Sequence, residues 1–505
     1  MLRSGRMGLE KENLRVGQDG HISQISHPEL LGSALTHPFI TTDYSEALLE
    51  FITPPFQGPP EALDFLRDLH RFVYEKLDNE LLWAGSMPCV VAGDASIPIA
   101  YYGNSNVGTM KTVYRRGLGY RYGRLMQVIA GGHFNYSFAK DFWPVFQGHE
   151  KDDGPLRNFV DSAYFCLIRN LQRVGWLVPY LFGSSPAICK SFMGGQPTQL
   201  QEFNANTYYE PFATSLRVSD IGYQNTRESE AGIKVSYDNL DRYVKSLAYA
   251  IETGHPEYEK IGVLTDGEYR QLNGNILQIE NEYYSSVRPK PLLIGNEKPT
   301  LALKKRGVEY VELRSLDVNA LEPLGLSEDQ LRFLEALMIF CLFQESPAIG
   351  EQEHEEVNWN LQTVAARGRE PGLKLRRLGQ ELGLLEWASE ICGELTGICE
   401  LLDQGAGSQA YSRSLERQTE AVRDPDRTPS ARMLAGMRAS SQGFFHFVKS
   451  LSQAHHHYFS KYPLDQGRRL FFQNAVQQSI EKQREIEASD DCAFDEYLER
   501  YFAQT

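Results

Sequence analysis

Four short runs in the first two thirds of the chain place a polar residue at every second position and a fifth carries a single acid, and this spacing constrains the fold more than any other feature. In GLEKENLRV, Glu10 and Glu12 project from the same side of an extended strand. In GGHFNYSF, His133, Asn135 and Ser137 share one side while Phe134, Tyr136 and Phe138 pack behind. ILQIENEYY presents Gln278, Glu280, Glu282 and Tyr284, VEYVELRSLD presents Tyr310, Glu312 and Arg314, and ALLEFITP carries one acid, Glu50, flanked on its side by Leu48 and Ile52. An antiparallel sheet with one apolar and one polar face accommodates all five. For a single strand, a face turned to water explains the polarity equally well. Taken together the runs are too acidic for that, since a solvent face mixes signs and favours Lys and Thr. Two carboxylates ~5 Å apart repel by about 3 kcal/mol at an effective dielectric of 20, so the cluster requires cations. Oxygen ligands with one imidazole suit Mg²⁺ or Mn²⁺ better than zinc, and Mg²⁺ commonly joins protein carboxylates to substrate phosphates.

The 505 residues carry 51 Lys+Arg against 66 Asp+Glu, a net charge of −15, which argues against nucleic acid as a partner because phosphate-backbone binding needs a basic stripe. The longest uncharged stretches, such as 174–189, contain Pro, Gly and Ser and fall short of the ~20 apolar residues of a membrane span. Glu10 and Glu12 stand where a secretory signal would have its apolar centre, so the chain is expected in the cytosol. Seven cysteines (89, 166, 189, 341, 392, 399 and 492) with no CxxC indicate neither a disulfide framework nor a zinc ribbon, and most read as small buried hydrophobes. Cys392 and Cys399 sit seven apart on a predicted helix and are expected to stay reduced.

The texture changes near residue 320, which divides the chain into a sheet-bearing core with inserted helices over 1–320 and a mainly helical region over 321–505. Ser327 to Gln330 has the capping-box pattern, opening a helix whose Leu331, Leu334, Met338 and Cys341 share a face. Further helices are predicted over 375–403, 408–422, 430–460 and 465–488, with a break at the DPDRTP run, 424–429. His455, His456 and His457 are consecutive on one of these helices and point in different directions, which suits a solvated face better than a metal site. No GxxxxGK[ST] phosphate loop is present. Gly117 to Gly123 has three residues rather than two before its last Gly and follows the basic run KTVYRR, so a Rossmann site is not indicated. ATP held through metals and arginines on a sheet remains open.

Eight ordered segments carry a resemblance: GLEKENLRV, LGSALTHPFITTDYSEALLEFITP, SMPC, YRRGLGYRYGRLMQVIAGGHFNYSF, NLQRVGWLVPYLFGSSPAIC, PFATSLRVSDIGYQN, LQIENEYYSSVRPK and GVEYVELRSLDVN. The chain resembles the proteobacterial type of glutamate-cysteine ligase from about residue 8 to 345, and more weakly through VNWNLQTVAARGREPG and the helical tail. The resemblance implies an α+β fold, a funnel-like antiparallel sheet related to glutamine synthetase and surrounded by helices. It implies that γ-glutamylcysteine is made from ATP, L-glutamate and L-cysteine, with Mg²⁺ (Mn²⁺ possible), as the first step of glutathione synthesis. It carries over Glu10, Glu12, Asp43, Glu50, His133 and Glu312 as metal ligands, Arg314 as a catalytic residue approaching the nucleotide phosphates, and Tyr114, Arg217, Tyr223 and Tyr284 as the cysteine pocket, with Tyr44 nearby.

Asp43 and Glu46 also have the spacing of a helix N-cap and its box partner, and Arg217 that of a surface bridge to Asp220. Tyr44 stands where the family pattern has Phe and adds a hydroxyl near the acceptor. The GLE motif is reached within ten residues, without the short helical segment that relatives place before it; an incomplete start and a missing packing element both explain this. A related ligase with another amine acceptor and a non-catalytic nucleotide-binding protein are the alternative readings. The second predicts losses among the carboxylates, and all six positions are filled.

Overall fold

In the computed structural model, which describes residues 1–222, 234–404 and 407–504, four of the five runs meet in one seven-stranded sheet. Its long strand β1 (Arg6–Gly17) pairs antiparallel with β3 (Leu48–Ile52) on one side and β5 (Gly131–Ser137) on the other. Beyond β3 lies β2 (Ile40–Thr42), and beyond β5 lie β7 (Tyr310–Asp317) and then β6 (Val287–Lys290). The short β4 (Glu80–Leu82) pairs with the far end of β1. The register places Glu12 opposite Glu50, Glu10 opposite His133, and Arg288 opposite Glu312. Because side chains alternate along a strand, this pairing puts Glu10, Glu12, Glu50, His133, Arg288 and Glu312 on one face, whereas Lys11 turns to the other, where its Nζ lies 2.9 Å from His70 Nε2.

The other face is the core. Leu9, Leu49, Phe51, Phe134, Tyr136, Val311 and Leu313 are buried there with residues of helices α1 (Pro59–Tyr74), α3 (Leu156–Val174) and α4 (Glu328–Phe343). A further helix, α2 (Asn106–Tyr122), flanks the polar side. The capping box at α4 is complete: Ser327 Oγ accepts from the Gln330 amide and Gln330 Oε1 accepts from the Ser327 amide. Leu331, Leu334, Met338 and Cys341 are buried in the same cluster as the sheet's apolar face.

Several expectations are corrected. ILQIENEYY is not a strand: Glu280–Glu282 form a single 3-10 turn, with Glu282 accepting from Arg121 and Tyr122 and Glu280 accepting from the Thr300 hydroxyl. These buried partners, rather than a sheet face, account for its acids. The helix predicted over 375–403 begins as a hairpin, Lys374–Arg377 with Gln380–Gly383, because Leu378 and Gly379 adopt φ of 52° and 78° and turn the chain; the helix is Leu384–Asp403. The helix over 430–460 is two, Pro429–Ala439 and Phe444–Lys461, parted where Ser441 takes φ 55°. Asp43 caps no helix, since Ile40–Thr42 and Leu48–Ile52 form a hairpin around it.

Cys89 and Cys189, 100 residues apart, form a disulfide with Cα atoms 5.5 Å apart, although the spacing indicated no disulfide framework. Both belong to a second hydrophobic cluster that folding assembles, and no spacing rule reveals such a pair. Cys392 and Cys399 are free and buried, as expected. Of the three histidines, His455 is buried and His457 exposed. Among the described residues, no helix is long and apolar enough to cross a membrane.

A core carboxyl is pushed within reach of neutral pH. Glu335 of α4 is fully buried and accepts from Tyr411 Oη at 2.6 Å and Tyr136 Oη at 3.3 Å; burial pushes it up to about 7. A raised acid holds its proton more tightly folded than unfolded. Its contribution is therefore fully present below the unfolded value of 4.5 and is lost as the pH rises through 7. Glu335→Gln removes this dependence. Denaturant unfolding at pH 5 and pH 8 should show the variant gaining on the parent across that interval, by up to roughly 3 kcal/mol. A parallel pH dependence in the two proteins would contradict it.

Candidate functional site

The polar face is crowded with acids. His133 Nδ1 lies 2.8 Å from Glu10 Oε2 and 3.9 Å from Glu312 Oε1, while His133 Nε2 lies 3.7 Å from Glu12 Oε1. One ligand atom each from Glu10, Glu50 and His133 falls within a 4.8 Å span. Asn135 Nδ2 donates to Glu10 Oε1 at 2.9 Å, and the Gly131 amide donates to Glu12 Oε2 at 2.5 Å. Asp43 sits at the edge of the group, close enough to Glu12 and Glu50 to act on both.

The electrostatics divide this face. Burial, then the charges of Glu10, Asp43 and Glu12, drives the Glu50 carboxyl well above the usual carboxylate range, and burial with Asp43 raises Glu12. Burial works against charge on Glu312 too, but Lys290, Arg314, His133 and Arg288 outweigh it and hold its carboxyl below that range. Burial likewise opposes charge on Glu10, and the His133 hydrogen bond helps keep it low. A buried cluster in which carboxyls are pushed towards their neutral form has the electrostatics of a cation site. Glu312 Oε2 is also buried without a hydrogen-bond partner among the described residues. Glu10, Glu12, Asp43, Glu50, His133 and Glu312 are thus brought together and could hold divalent cations.

Beside the cluster opens a cavity of about 520 Å³ lined by Glu12, Asp43, Tyr44, Tyr114, Tyr284 and Arg314. The Arg314 guanidinium stands 5.8 Å from the Tyr284 ring centre. Arg217 is buried next to this region, donating to the Arg314 carbonyl at 3.0 Å and lying 3.9 Å from Asp317, whereas Asp220 is exposed. Asp317 is itself held by the Ser184 amide and the Ser185 and Ser215 hydroxyls. Tyr223 lies outside the described residues. Tyr44 is buried on the cavity wall, and its hydroxyl has no hydrogen-bond partner among the described residues.

Four cations of this site escaped the sequence reading. Arg288 and Lys290 project from β6 onto the polar face, Lys290 Nζ standing 3.2 Å from Glu312 Oε1. Their period-two spacing in VRPK was a usable signal. Lys111 and Arg115 come from α2, one turn apart, and line the cavity opposite the sheet. Burial and the neighbouring Arg115 pull the Lys111 ammonium down to about 8. A floor of carboxylates with guanidinium and ammonium groups around it matches substrates bearing both carboxylate and phosphate.

The sequence pattern of the glutamate-cysteine ligase family matches residues 1–364. The chain belongs to that family. A glutamate-cysteine ligase of Alcanivorax borkumensis is 47% identical over 502 residues, covering 98% of this chain and 95% of its own length. One of Pseudomonas putida is 45% identical over 503 residues, covering 100% and 95%. The crystal structure of the Francisella tularensis glutamate-cysteine ligase in complex with AMP superposes with a TM-score of 0.92 at 35% identity, covering 99% of this chain and 97% of that one. A bifunctional glutathione synthetase from Pasteurella multocida, at 23% identity and a TM-score of 0.75, covers 94% of this chain and 56% of its own, and shares the fold. A mixed structure of helices and an antiparallel sheet is therefore common to this glutamate-cysteine ligase family member and its solved relatives.

The seat of Arg217 yields a test. A Cβ on Gly131 would lie 2.0 Å from Arg217 Nη2, so only glycine leaves room for the guanidinium beside the start of β5. Gly131→Ala should destabilise the fold by about 1 to 3 kcal/mol through overpacking. In an Arg217→Ala background the same change should cost measurably less, and a denaturant double-mutant cycle reads the difference. Additive effects would contradict this packing.

Proposed function

We propose that the chain ligates the γ-carboxylate of L-glutamate to the amine of L-cysteine, consuming ATP and releasing γ-glutamylcysteine, ADP and phosphate, as the first step of glutathione synthesis. The observation that carries the reading is the adjacency of a buried acid cluster and an arginine-rich cavity in a member of this family. We place the reaction in the cytosol, where ATP is available. In this reading the sheet is the funnel-like, glutamine-synthetase-related core of residues 1–320, with 321–505 as a mainly helical region packed on it.

A carboxylate is a poor electrophile, so the γ-carboxylate first takes the terminal phosphoryl group of ATP, and the cysteine amine then displaces phosphate from the acyl phosphate. Glu10, Glu12, Asp43, Glu50, His133 and Glu312 would hold Mg²⁺ or Mn²⁺, which supplies neutralisation of the triphosphate and of the charge that develops during transfer. Arg314, with Arg288 beside it, faces the phosphates. Tyr114, Arg217, Tyr223 and Tyr284 take the cysteine. The reaction needs no protein nucleophile, in keeping with Cys341, Cys392 and Cys399 being buried away from the cavity wall.

The order of steps is open to isotope labelling. If the γ-carboxylate attacks ATP, one of its oxygens becomes the bridge to phosphorus and departs with phosphate. Glutamate carrying ¹⁸O in the γ-carboxylate should then give one labelled oxygen in each phosphate, with ADP unlabelled, by mass spectrometry. Unlabelled phosphate with full amide formation, or AMP as product, would overturn the acyl-phosphate route.

A further inference from the structure

The cavity beside the acid cluster is not closed by the sheet and α2 alone. Its outer wall comes from the far end of the chain: Tyr497 and Tyr501 of helix α5 (Phe494–Phe502) line it together with Tyr114 and Tyr284. Leu498 of α5 is buried against Met110 and Val113 of α2 and Leu272, and Tyr114, Ile279, Tyr497 and Tyr501 pack on the same cluster. Tyr114, which we assign to the cysteine pocket, is therefore backed by the C-terminal helix.

Two sets of polar contacts hold α5 in register with the cavity. On one side the Asn106 amide, at the first turn of α2, donates to Asp490 at 2.6 Å, and Asn106 Nδ2 donates to the Cys492 carbonyl at 3.0 Å. On the other, Lys298 Nζ donates to the carbonyls of Phe502 at 2.7 Å and Gln504 at 3.1 Å, while Gln504 Nε2 donates to the Asn296 carbonyl at 3.2 Å. The tail thus ties the start of the helix bearing Lys111, Tyr114 and Arg115 to the segment around Asn296 that forms the cavity's other rim. A helix needed only to cover an apolar surface would not require a polar group inside the cavity wall. Yet Tyr497 lines the cavity, and its hydroxyl is buried without a hydrogen-bond partner among the described residues. An unsatisfied buried hydroxyl is costly, and a ligand that accepts or donates at that point removes the cost.

We propose that Tyr497 and Tyr501 complete the acceptor site, Tyr497 by a hydrogen bond to the polar end of the incoming amino acid and Tyr501 by limiting its size, with Lys298 as the positioning residue that holds their helix in place. The proposal rests on the ligase reading given above. It assigns part of amine selectivity to a segment some 180 residues beyond the last strand of the sheet.

The test is steady-state kinetics of the full-length chain with each substrate varied in turn. Tyr497→Phe should raise KM for cysteine roughly three- to tenfold, in line with one lost hydrogen bond, while KM for ATP and for glutamate stays within twofold. Tyr501→Ala should lower discrimination against amino acids bulkier than cysteine. Lys298→Met should reproduce the rise in KM for cysteine without touching the cavity, and Lys298→Arg should largely restore it. Thermal unfolding of substrate-free Tyr497→Phe should occur at or above the parent's temperature, since the variant loses a buried hydroxyl that has no partner among the described residues. Unchanged constants for cysteine in Tyr497→Phe, or equal rises for all three substrates, would overturn the proposal. Failure of the parent chain itself to form γ-glutamylcysteine would refute the underlying reading instead.

Discussion

Mutual repulsion among buried carboxylates is the constraint on which the rest of the structure depends. Antiparallel pairing sets Glu12 directly across from Glu50, and the neighbouring pair sets Glu10 across from His133. Like charges opposite each other on a sheet destabilise it, so this register is costly unless cations offset it. The protein supplies part of the offset itself: His133 sits among three of the acids, and Lys290, Arg288 and Arg314 gather around Glu312. Burial and the charges of Glu10, Asp43 and Glu12 nevertheless leave Glu50 with a carboxyl pushed towards neutrality. Divalent cations are the natural complement to that imbalance.

The apolar face makes the crowding tolerable. Leu9, Leu49, Phe51, Phe134, Val311 and Leu313 interlock with α1, α3 and α4 behind the sheet and fix the register that the charges alone would oppose. A slip of one residue would turn Glu10 and Glu12 into this core, so the hydrophobic pattern and the acid pattern specify the same pairing. Buried polar contacts then set the surrounding elements in place. Asp317, held by three serines, lies beside Arg217, and Arg121 with Tyr122 ties down the Glu282 turn.

Period-two spacing made the strands of Glu10, Glu50, His133 and Glu312 legible, because half-buried strands must alternate. It misled at ILQIENEYY, where Gln278, Glu280 and Glu282 alternate for a different reason: each bonds a different group on a neighbouring helix, the Tyr114 carbonyl, the Thr300 hydroxyl and the Arg121 guanidinium. The hairpin at 374–383 was hidden because RRLGQ reads as a helix unless Leu378 is known to take a left-handed conformation. The Cys89–Cys189 bond and the placing of Tyr497 beside Tyr114 depend on residues far apart in sequence, and only the assembled fold brings them together. Lys111 and Arg115 belong to the same class, since their helix carries no marker of the cavity it faces.

Direct binding of Mn²⁺ in the absence of any substrate tests the cation assignment independently of turnover. Free Mn²⁺ gives an electron paramagnetic resonance signal that is lost on binding. The parent chain should deplete that signal saturably, with Mg²⁺ competing. Glu50→Gln and Glu312→Gln, if their far-ultraviolet circular dichroism matches the parent, should each bind Mn²⁺ at least roughly tenfold more weakly. Undiminished Mn²⁺ affinity in both folded variants would contradict a metal site on the polar face of this sheet.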